Sequence, residues 1–255
     1  MQKKKTVTLS VLVSVLVILI FSVFGLSLFS TTPAVVLPSP AGSAEPSGGG
    51  TGQETGGDYT PVEVTVSNVQ AVVATLAEDR SESYQRTLTV ETFWDGGSSS
   101  VTVNIWEDNG LVRQDIYRSG QDTRHVIMSS DTVYVWYGSG SDFYSGPVGS
   151  FTSDAEQRIP TYEDVLNLDP ASVISAGFVE RDGFSCVFAG TSDDSSGYVR
   201  RYWVDVASGL LVSAETEKNG ALVYRMTSQK ISGISSADSV FSLPDGTLLG
   251  QSSAG

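Results

Sequence analysis

The sequence predicts a mainly β protein in which one antiparallel sheet carries one or two short helices. Apolar and polar residues alternate in several stretches between residues 83 and 206, as they do in strands with one buried face. Dipeptides of the Asn-Gly and Asp-Gly type follow these stretches, and such dipeptides favour tight hairpin turns. Strands joined by hairpins are antiparallel neighbours, so we predict a meander.

The chain begins with an apolar segment long enough to cross a membrane. Residues 6–29 contain 24 residues without a charge, and a helix of that length extends about 36 Å. The hydrocarbon core of a bilayer is about 30 Å thick, so we predict a transmembrane helix. Lysines at positions 3–5 precede it and place residues 1–5 in the cytoplasm. The alternative is a cleaved signal peptide with a weak cleavage site at 25–27.

The next part of the chain is rich in proline, glycine and serine. Residues 30–60 hold four prolines and a run of three glycines but almost nothing that could build a core. Such a composition cannot offset its ordering entropy, so we predict a disordered tether. We place a β-rich domain at 61–248 and a disordered tail at 249–255.

Two short helices are expected within the domain. The first follows Ser67, a predicted N-cap, and its apolar residues repeat at helical spacing. These residues are Val69, Val72, Val73 and Leu76. The second covers 161–168 and lies between Pro160 and Pro170.

The clearest strands cover 83–94, 100–106, 132–137 and 198–206. Alternation in the first two strands places seven large apolar side chains on one face of the sheet. We predict that they form a ligand-binding apolar groove around the first helix; the alternative is that the helices fill this surface. The seven residues are Tyr84, Leu88, Val90, Trp94, Val101, Val103 and Ile105.

Turn signals recur between these strands. Each combines a polar residue with a glycine that tolerates the positive φ of a tight turn. They lie at 95–97, 109–110, 182–183, 208–209 and 219–220.

The charge of the domain excludes one class of partner. From residue 61 onward, 12 Lys and Arg stand against 26 Asp and Glu, so this part carries 12 − 26 = −14. A domain this acidic repels phosphate backbones, and we predict that it does not bind nucleic acid. Cys186 is the only cysteine, so no intramolecular disulfide can form, and its apolar neighbours predict a buried side chain.

The sequence contains no recognisable catalytic motif. His125 is the only histidine, it lies in a strand-like segment, and no G-x-S-x-G motif accompanies it. Calcium-loop and glycine-rich phosphate-binding patterns are also missing, so we predict no cofactor and no metal. We therefore expect a protein that is not an enzyme. The alternative is a hydrolase that acts through acids such as Asp205 or Glu215.

The order of these elements resembles the LolA-like lipoprotein-carrier superfamily, which includes LolA-, LolB- and RseB-like proteins. The motifs lie in YWVDVASGLLVSAETEKNGALVYRMTSQKI at 202–231 and SVFSLPDG at 239–246. The likeness extends more loosely to the first helix, the strand at 83–94 and the segment 129–137. The resemblance implies a curved antiparallel half-barrel that packs around helices on its concave face and holds acyl chains or other apolar matter.

These observations together predict a bacterial protein anchored in the cytoplasmic membrane by a single pass, with its domain on the extracytoplasmic side of the cell envelope. A protein fixed to one membrane cannot carry cargo between two. We therefore expect a sensor, regulator or scaffold that binds a lipid, an acyl chain, a lipoprotein or an envelope protein partner.

Overall fold

The computed structural model describes residues 35–36, 61–148, 159–234 and 240–250. The predicted cytoplasmic tip and transmembrane helix, together residues 1–29, lie outside these ranges. So does almost all of the predicted tether. Within the described ranges, no helix is both long and apolar enough to cross a membrane.

The described part of the chain is mainly β. Its helices are α1 (Val69–Glu78), α2 (Tyr162–Leu166) and a single 3₁₀ turn (Pro170–Ser172). Two short strands pair with each other, β1 (Val35–Val36) and β2 (Pro61–Val62). The remaining strands are β3 (Ser83–Trp94), β4 (Gly97–Asp108), β5 (Leu111–Tyr117), β6 (Arg124–Met128), β7 (Thr132–Tyr137), β8 (Tyr144–Pro147), β9 (Val173–Arg181), β10 (Phe184–Thr191), β11 (Tyr198–Asp205), β12 (Leu211–Lys218) and β13 (Ala221–Ser232).

Eleven of these strands form one antiparallel sheet in the order β8-β7-β6-β5-β4-β3-β13-β12-β11-β10-β9. The predicted antiparallel sheet is confirmed, but the prediction of a single meander is wrong. The sheet contains two meanders, β3 to β8 and β9 to β13. They join where β3 pairs with β13, for example at Leu88 and Ser228. Hairpin turns reveal only neighbouring pairs, so the sequence pattern did not reveal this joint.

The two Asn-Gly hairpin turns lie where the sequence predicts them. Asn109 and Gly110 have φ angles of 48° and 85°, and Asn219 and Gly220 have φ angles of 51° and 79°. Positive φ at both central residues defines a type I′ turn, whose twist matches that of the flanking strands. These local signals therefore define the strand ends.

Helix α1 packs on one face of the sheet, which we call the inner face. Its predicted apolar residues are all buried and contact the largest hydrophobic cluster of the described chain. The N-cap is Asn68, whereas the sequence predicted Ser67. The Ser67 hydroxyl instead lies 3.0 Å from the hydroxyl of Thr65 and is not available to the helix.

Helix α2 is present near the predicted position, but it begins at Tyr162 and ends at Leu166, so it is shorter than the predicted range 161–168. The Thr161 backbone N–H donates to Asp164 Oδ2 at 2.9 Å, which satisfies one free donor at the helix start. Gln70 of α1 donates from Nε2 to three carbonyls at the end of α2, those of Val165, Leu166 and Leu168. This contact fixes α2 beside α1.

The opposite, outer face carries a second cluster over β5 to β7. Ile127 and Trp136 lie on this face, and Phe241 and Leu243 of the C-terminal segment pack against them. The Leu249 N–H donates to the Phe241 carbonyl at 3.0 Å, so the segment folds back on itself over the sheet. The predicted boundary at residue 248 therefore falls within this small unit.

Candidate functional site

Six of the seven predicted groove residues lie in the interior of the inner face. Each is at most 5 % exposed, and Leu88 is 0 % exposed. Helix α1 packs into the cluster that holds most of them. A ligand would reach these side chains only if α1 moved away from the sheet. Ligand binding at these residues therefore stays a prediction. They are Tyr84, Leu88, Val90, Val101, Val103 and Ile105.

Trp94, the seventh residue, lies at the end of β3 and is 56 % exposed. Its indole ring folds over the following turn, where a Cβ built on Gly97 would lie 2.9 Å from Nε1. Alternation places Trp94 on the same strand face as Leu88, but Trp94 is not part of the hydrophobic cluster that holds Leu88. The structure therefore separates Trp94 from the other six.

A cavity of about 340 Å³ lies farther along the inner face, in the second meander. This volume is within the range of about 300–1,000 Å³ that is typical of small-molecule sites. Its walls come from β11, β12, β13 and the start of α2. The lining residues are Pro160, Asp164, Tyr198, Arg200, Tyr202, Ala214, Thr216, Val223 and Tyr224.

Strand register explains how distant residues meet in this cavity. Tyr202 lies opposite Ala214, and Arg200 lies opposite Thr216. Thr216 in turn lies opposite Tyr224 on β13. Residues opposite each other in a sheet share a face, so the three strands present one continuous wall. The α2 segment covers one side of this wall with Pro160 and Asp164.

Tyr224 brings an unsatisfied polar group to the cavity wall. Its hydroxyl is buried and has no hydrogen-bond partner among the described residues. Burial raises the pKa of Tyr224, and the nearby Asp164 and Tyr202 raise it further, so the phenol stays protonated. Leaving such a group unpaired costs about 1–3 kcal/mol. Because the hydroxyl itself has almost no accessible surface, a ligand atom would reach it and recover part of that cost only after a small movement of the cavity wall.

The charged residues of the cavity are already engaged in part. Arg200 Nη1 lies 3.2 Å from Asp194 Oδ2, in a pair whose side chains are more than a third exposed. Asp164 accepts the hydrogen bond from the Thr161 backbone that starts α2. The cavity therefore combines aromatic walls with a polar margin, and it offers no pair of unengaged acids.

The two acids considered for hydrolysis serve structural contacts. Asp205 is 5 % exposed and accepts hydrogen bonds from the backbone N–H and the hydroxyl of Ser208, at 3.0 and 2.7 Å. Glu215 lies on the outer face, where it pairs with Arg181 at 2.7 Å and with Arg225 at 3.2 Å. Neither acid lines the cavity.

His125 lies on the outer face, away from the cavity. Its Nδ1 donates to Asp115 Oδ1 at 2.8 Å, and its ring stacks on Trp136 with centroids 5.0 Å apart. Arg113 Nη2 is 3.5 Å from the same nitrogen. These contacts are those of an ordinary strand residue that links neighbouring strands.

Cys186 is buried as predicted. It is 0 % exposed and packs with Trp203 and Val212. Burial raises the pKa of its thiol to about 12, and the charge of Asp205 contributes further. The thiol is therefore protonated and inert at neutral pH.

Within the described residues, no group of His, Cys, Asp or Glu side chains could hold a metal ion.

Local sequence patterns do not identify the cavity residues as a site. The alternation in YVRRYWVDV does place Tyr198, Arg200 and Tyr202 on one strand face, so part of the signal was present. The missing information was the position of α2 relative to this strand. Helix α2 is distant in sequence from β11, and it packs beside this polar and aromatic strand face. Together the helix and the strand face form the cavity.

Comparison with known proteins gives matches among solved structures only. No protein-family model matches the chain. No curated protein matches it either.

Three solved structures illustrate the similarity. A chain of the MucA/MucB complex of Pseudomonas aeruginosa is 18 % identical with a TM-score of 0.44, and the match covers 71 % of this chain and 63 % of that one. A crystal structure of MucB is 18 % identical with a TM-score of 0.40, with 65 % and 58 % covered. The chain thus spans about three fifths of the length of these two. A LolA superfamily protein from Nitrosomonas europaea is 13 % identical with a TM-score of 0.34, with 68 % and 97 % covered. The solved structures similar to this chain therefore include a member of the superfamily that its sequence motifs resemble.

Proposed function

We propose that this chain is a non-enzymatic binding protein whose ligand site is the cavity between α2 and strands β11 to β13. One observation carries the proposal: a cavity of about 340 Å³ with a buried, unpartnered Tyr224 hydroxyl in its wall. Binding sites commonly combine apolar walls with a few polar groups that orient the ligand. This cavity lies in the second meander, whereas the predicted groove lies on β3 and β4 of the first meander. Both are on the inner face of the sheet.

The ligand that fits this cavity is largely apolar and carries one hydrogen-bonding group. Aromatic rings of Tyr198, Tyr202 and Tyr224 supply apolar surface, and the buried Tyr224 hydroxyl supplies the polar contact once the wall moves enough to expose it. An acyl chain with an ester or amide near its end meets both requirements. An apolar side chain of an envelope protein, next to its own backbone carbonyl, meets them too.

The proposed role is that of a sensor, regulator or scaffold at the outer surface of the cytoplasmic membrane. The support is the uncharged segment 6–29 behind the lysines at 3–5, followed by the proline- and glycine-rich tether. Protease added to intact spheroplasts should release a fragment that begins within residues 31–60. A mature protein that begins near Leu28 and is soluble in the medium would contradict the anchor.

A photoreactive fatty-acid probe tests the cavity in the full chain. Thr216→Phe places a ring in the cavity, and we expect it to reduce crosslinking to the cavity peptides at least fivefold. Thr227→Phe is the matched control, because Thr227 lies on the neighbouring strand and on the opposite face. Mass spectrometry of the crosslinked peptides locates the probe. Equal crosslinking in both variants would refute the cavity as the acyl site.

A further inference from the structure

The two edges of the eleven-stranded sheet are built differently. Strand β8 forms one edge, has only four residues, and ends in Gly146 and Pro147. A short edge strand with proline resists pairing with a further strand. Strand β9 forms the other edge, has nine residues, and contains neither proline nor lysine. Only the β8 edge therefore carries the usual protection against edge-to-edge pairing.

The β9 edge is regular and open over most of its length. Seven consecutive residues, 175–181, pair with β10 without a bulge. In an antiparallel pair, the backbone groups of every second residue point away from the partner strand. Within the described residues, β10 is the only strand that pairs with β9. These outward N–H and C=O groups form a row that another strand could join.

Side chains along this edge favour the approach of another backbone. Ile174 is 63 % exposed and Val179 is 36 % exposed, so both aliphatic side chains are accessible at this edge. Gly177 lies between them, and a Cβ built there would contact nothing within 4 Å. A glycine inside a strand often marks a place where another backbone comes close. The edge therefore offers two exposed apolar side chains, those of Ile174 and Val179, on either side of a glycine.

The charges around β9 define the chemistry of the partner. Exposed carboxylates lie at both ends, Asp169 before the strand and Glu180 and Asp182 at its end. The only nearby base, Arg181, is engaged with Glu215 at 2.7 Å and with Asp182 at 3.2 Å. The edge thus presents apolar residues between two acidic ends. A complementary segment carries apolar residues in its middle and lysine or arginine at its ends.

We propose that β9 binds an extended, basic-flanked segment of a partner protein as a twelfth strand of the sheet. The backbone supplies the affinity in this mode, and Ile174 and Val179 supply contacts for alternate side chains. A second copy of this chain fits less well. If two β9 strands paired antiparallel around Gly177, Asp182 of one copy would face Ser172 of the other, only three residues from its Asp169. The acidic ends would then repel each other.

A labelled peptide tests this proposal on the full chain in detergent. The probe is fluorescein-KKVTVTVKK, and its Kd is measured by anisotropy. The variant Ile174→Lys/Val179→Lys adds two lysines to the β9 edge and should raise the Kd at least tenfold. The control Tyr144→Lys/Val148→Lys adds the same charge at two exposed positions beside the other edge, and it should change the Kd less than twofold. Equal effects of the two variants would refute a site at β9.

Two further measurements separate strand pairing from simple charge attraction. Hydrogen exchange should slow at those alternate amides of residues 174–180 that point away from β10 when the peptide is added. A peptide N-methylated at alternate residues cannot form the backbone bonds, and it should bind at least tenfold more weakly. Equal binding of this peptide or of a glutamate-flanked peptide, or unchanged exchange in β9, would overturn the proposal. A dimer of the chain that Ile174→Lys/Val179→Lys abolishes would instead identify a second copy as the occupant.

Discussion

At the scale of single residues, Asp115 ties three parts of the outer face together. It is 5 % exposed and receives two hydrogen bonds from Arg113, at 2.9 and 3.1 Å, and one from His125. Arg113 also donates to the carbonyl of Val240 in the C-terminal segment. The Asp115 carboxylate therefore links β5 to β6 through His125. It also balances the charge of Arg113, which binds the C-terminal segment.

Removing the Asp115 carboxylate should reduce the free energy of unfolding far more than removing an exposed carboxylate. Asp115→Ala leaves Arg113 partly buried without its counter-ion, and we expect a loss of about 3–5 kcal/mol in the free energy of unfolding. Glu91→Ala is the control, because Glu91 pairs with Arg225 at 3.8 Å and both side chains are about a third exposed. That change should cost less than about 1 kcal/mol. Urea unfolding followed by tryptophan fluorescence measures both, and similar losses would contradict the prediction.

At the scale of elements, the sequence predicted helices and strands well because their signals are local. Alternation predicted β3 and an apolar run predicted β7, both with the observed ends, and the Asn-Gly dipeptides marked the turns from β4 to β5 and from β12 to β13. The pairing of β3 with β13 has no local signal, since it joins residues as distant as Leu88 and Ser228. The cavity depends on the same long-range order, because its walls come from three strands and a helix. These features therefore could not be predicted from periodicity.

The burial of the predicted groove also changes what a mutation there would report. Leu88 is 0 % exposed in the same hydrophobic cluster as α1, so Leu88→Ala should create a void and reduce the free energy of unfolding by about 2–5 kcal/mol. A polar change such as Leu88→Glu should unfold the domain before it reports on binding. Trp94→Ala removes a larger side chain, yet it should cost less than about 1 kcal/mol because Trp94 is 56 % exposed.

Thermal unfolding of both variants tests this order. A larger loss for Trp94→Ala would show that the end of β3 contributes more to stability than the core beneath α1. The same measurement checks whether any binding defect at Leu88 reflects the fold or the ligand.

At the scale of the whole molecule, the net charge is −14. Hydrogen bonds stabilise the ionised form of several of the carboxylates that contribute to this charge. Backbone N–H groups of Tyr198 and Ser196 lower the pKa of Asp194, and the hydrogen bond from Arg201 lowers the pKa of Glu217. The pKa values of Asp131 and Asp245 are lowered by hydrogen bonds from neighbouring Ser and Thr residues. Self-repulsion among the acids acts in the opposite sense and favours the unfolded chain.

The lowered pKa values decide the direction of the pH dependence. A carboxyl group whose pKa is lower in the folded state binds more protons when unfolded, so its stabilisation is complete above its ordinary pKa, 3.8 for Asp and 4.5 for Glu. That stabilisation is lost as the pH falls through the lower, folded value. We therefore expect the urea midpoint to stay nearly constant from pH 7 to 5 and to fall between pH 5 and 3. A midpoint that rises toward pH 3 would mean that relief of self-repulsion outweighs the lost hydrogen bonds.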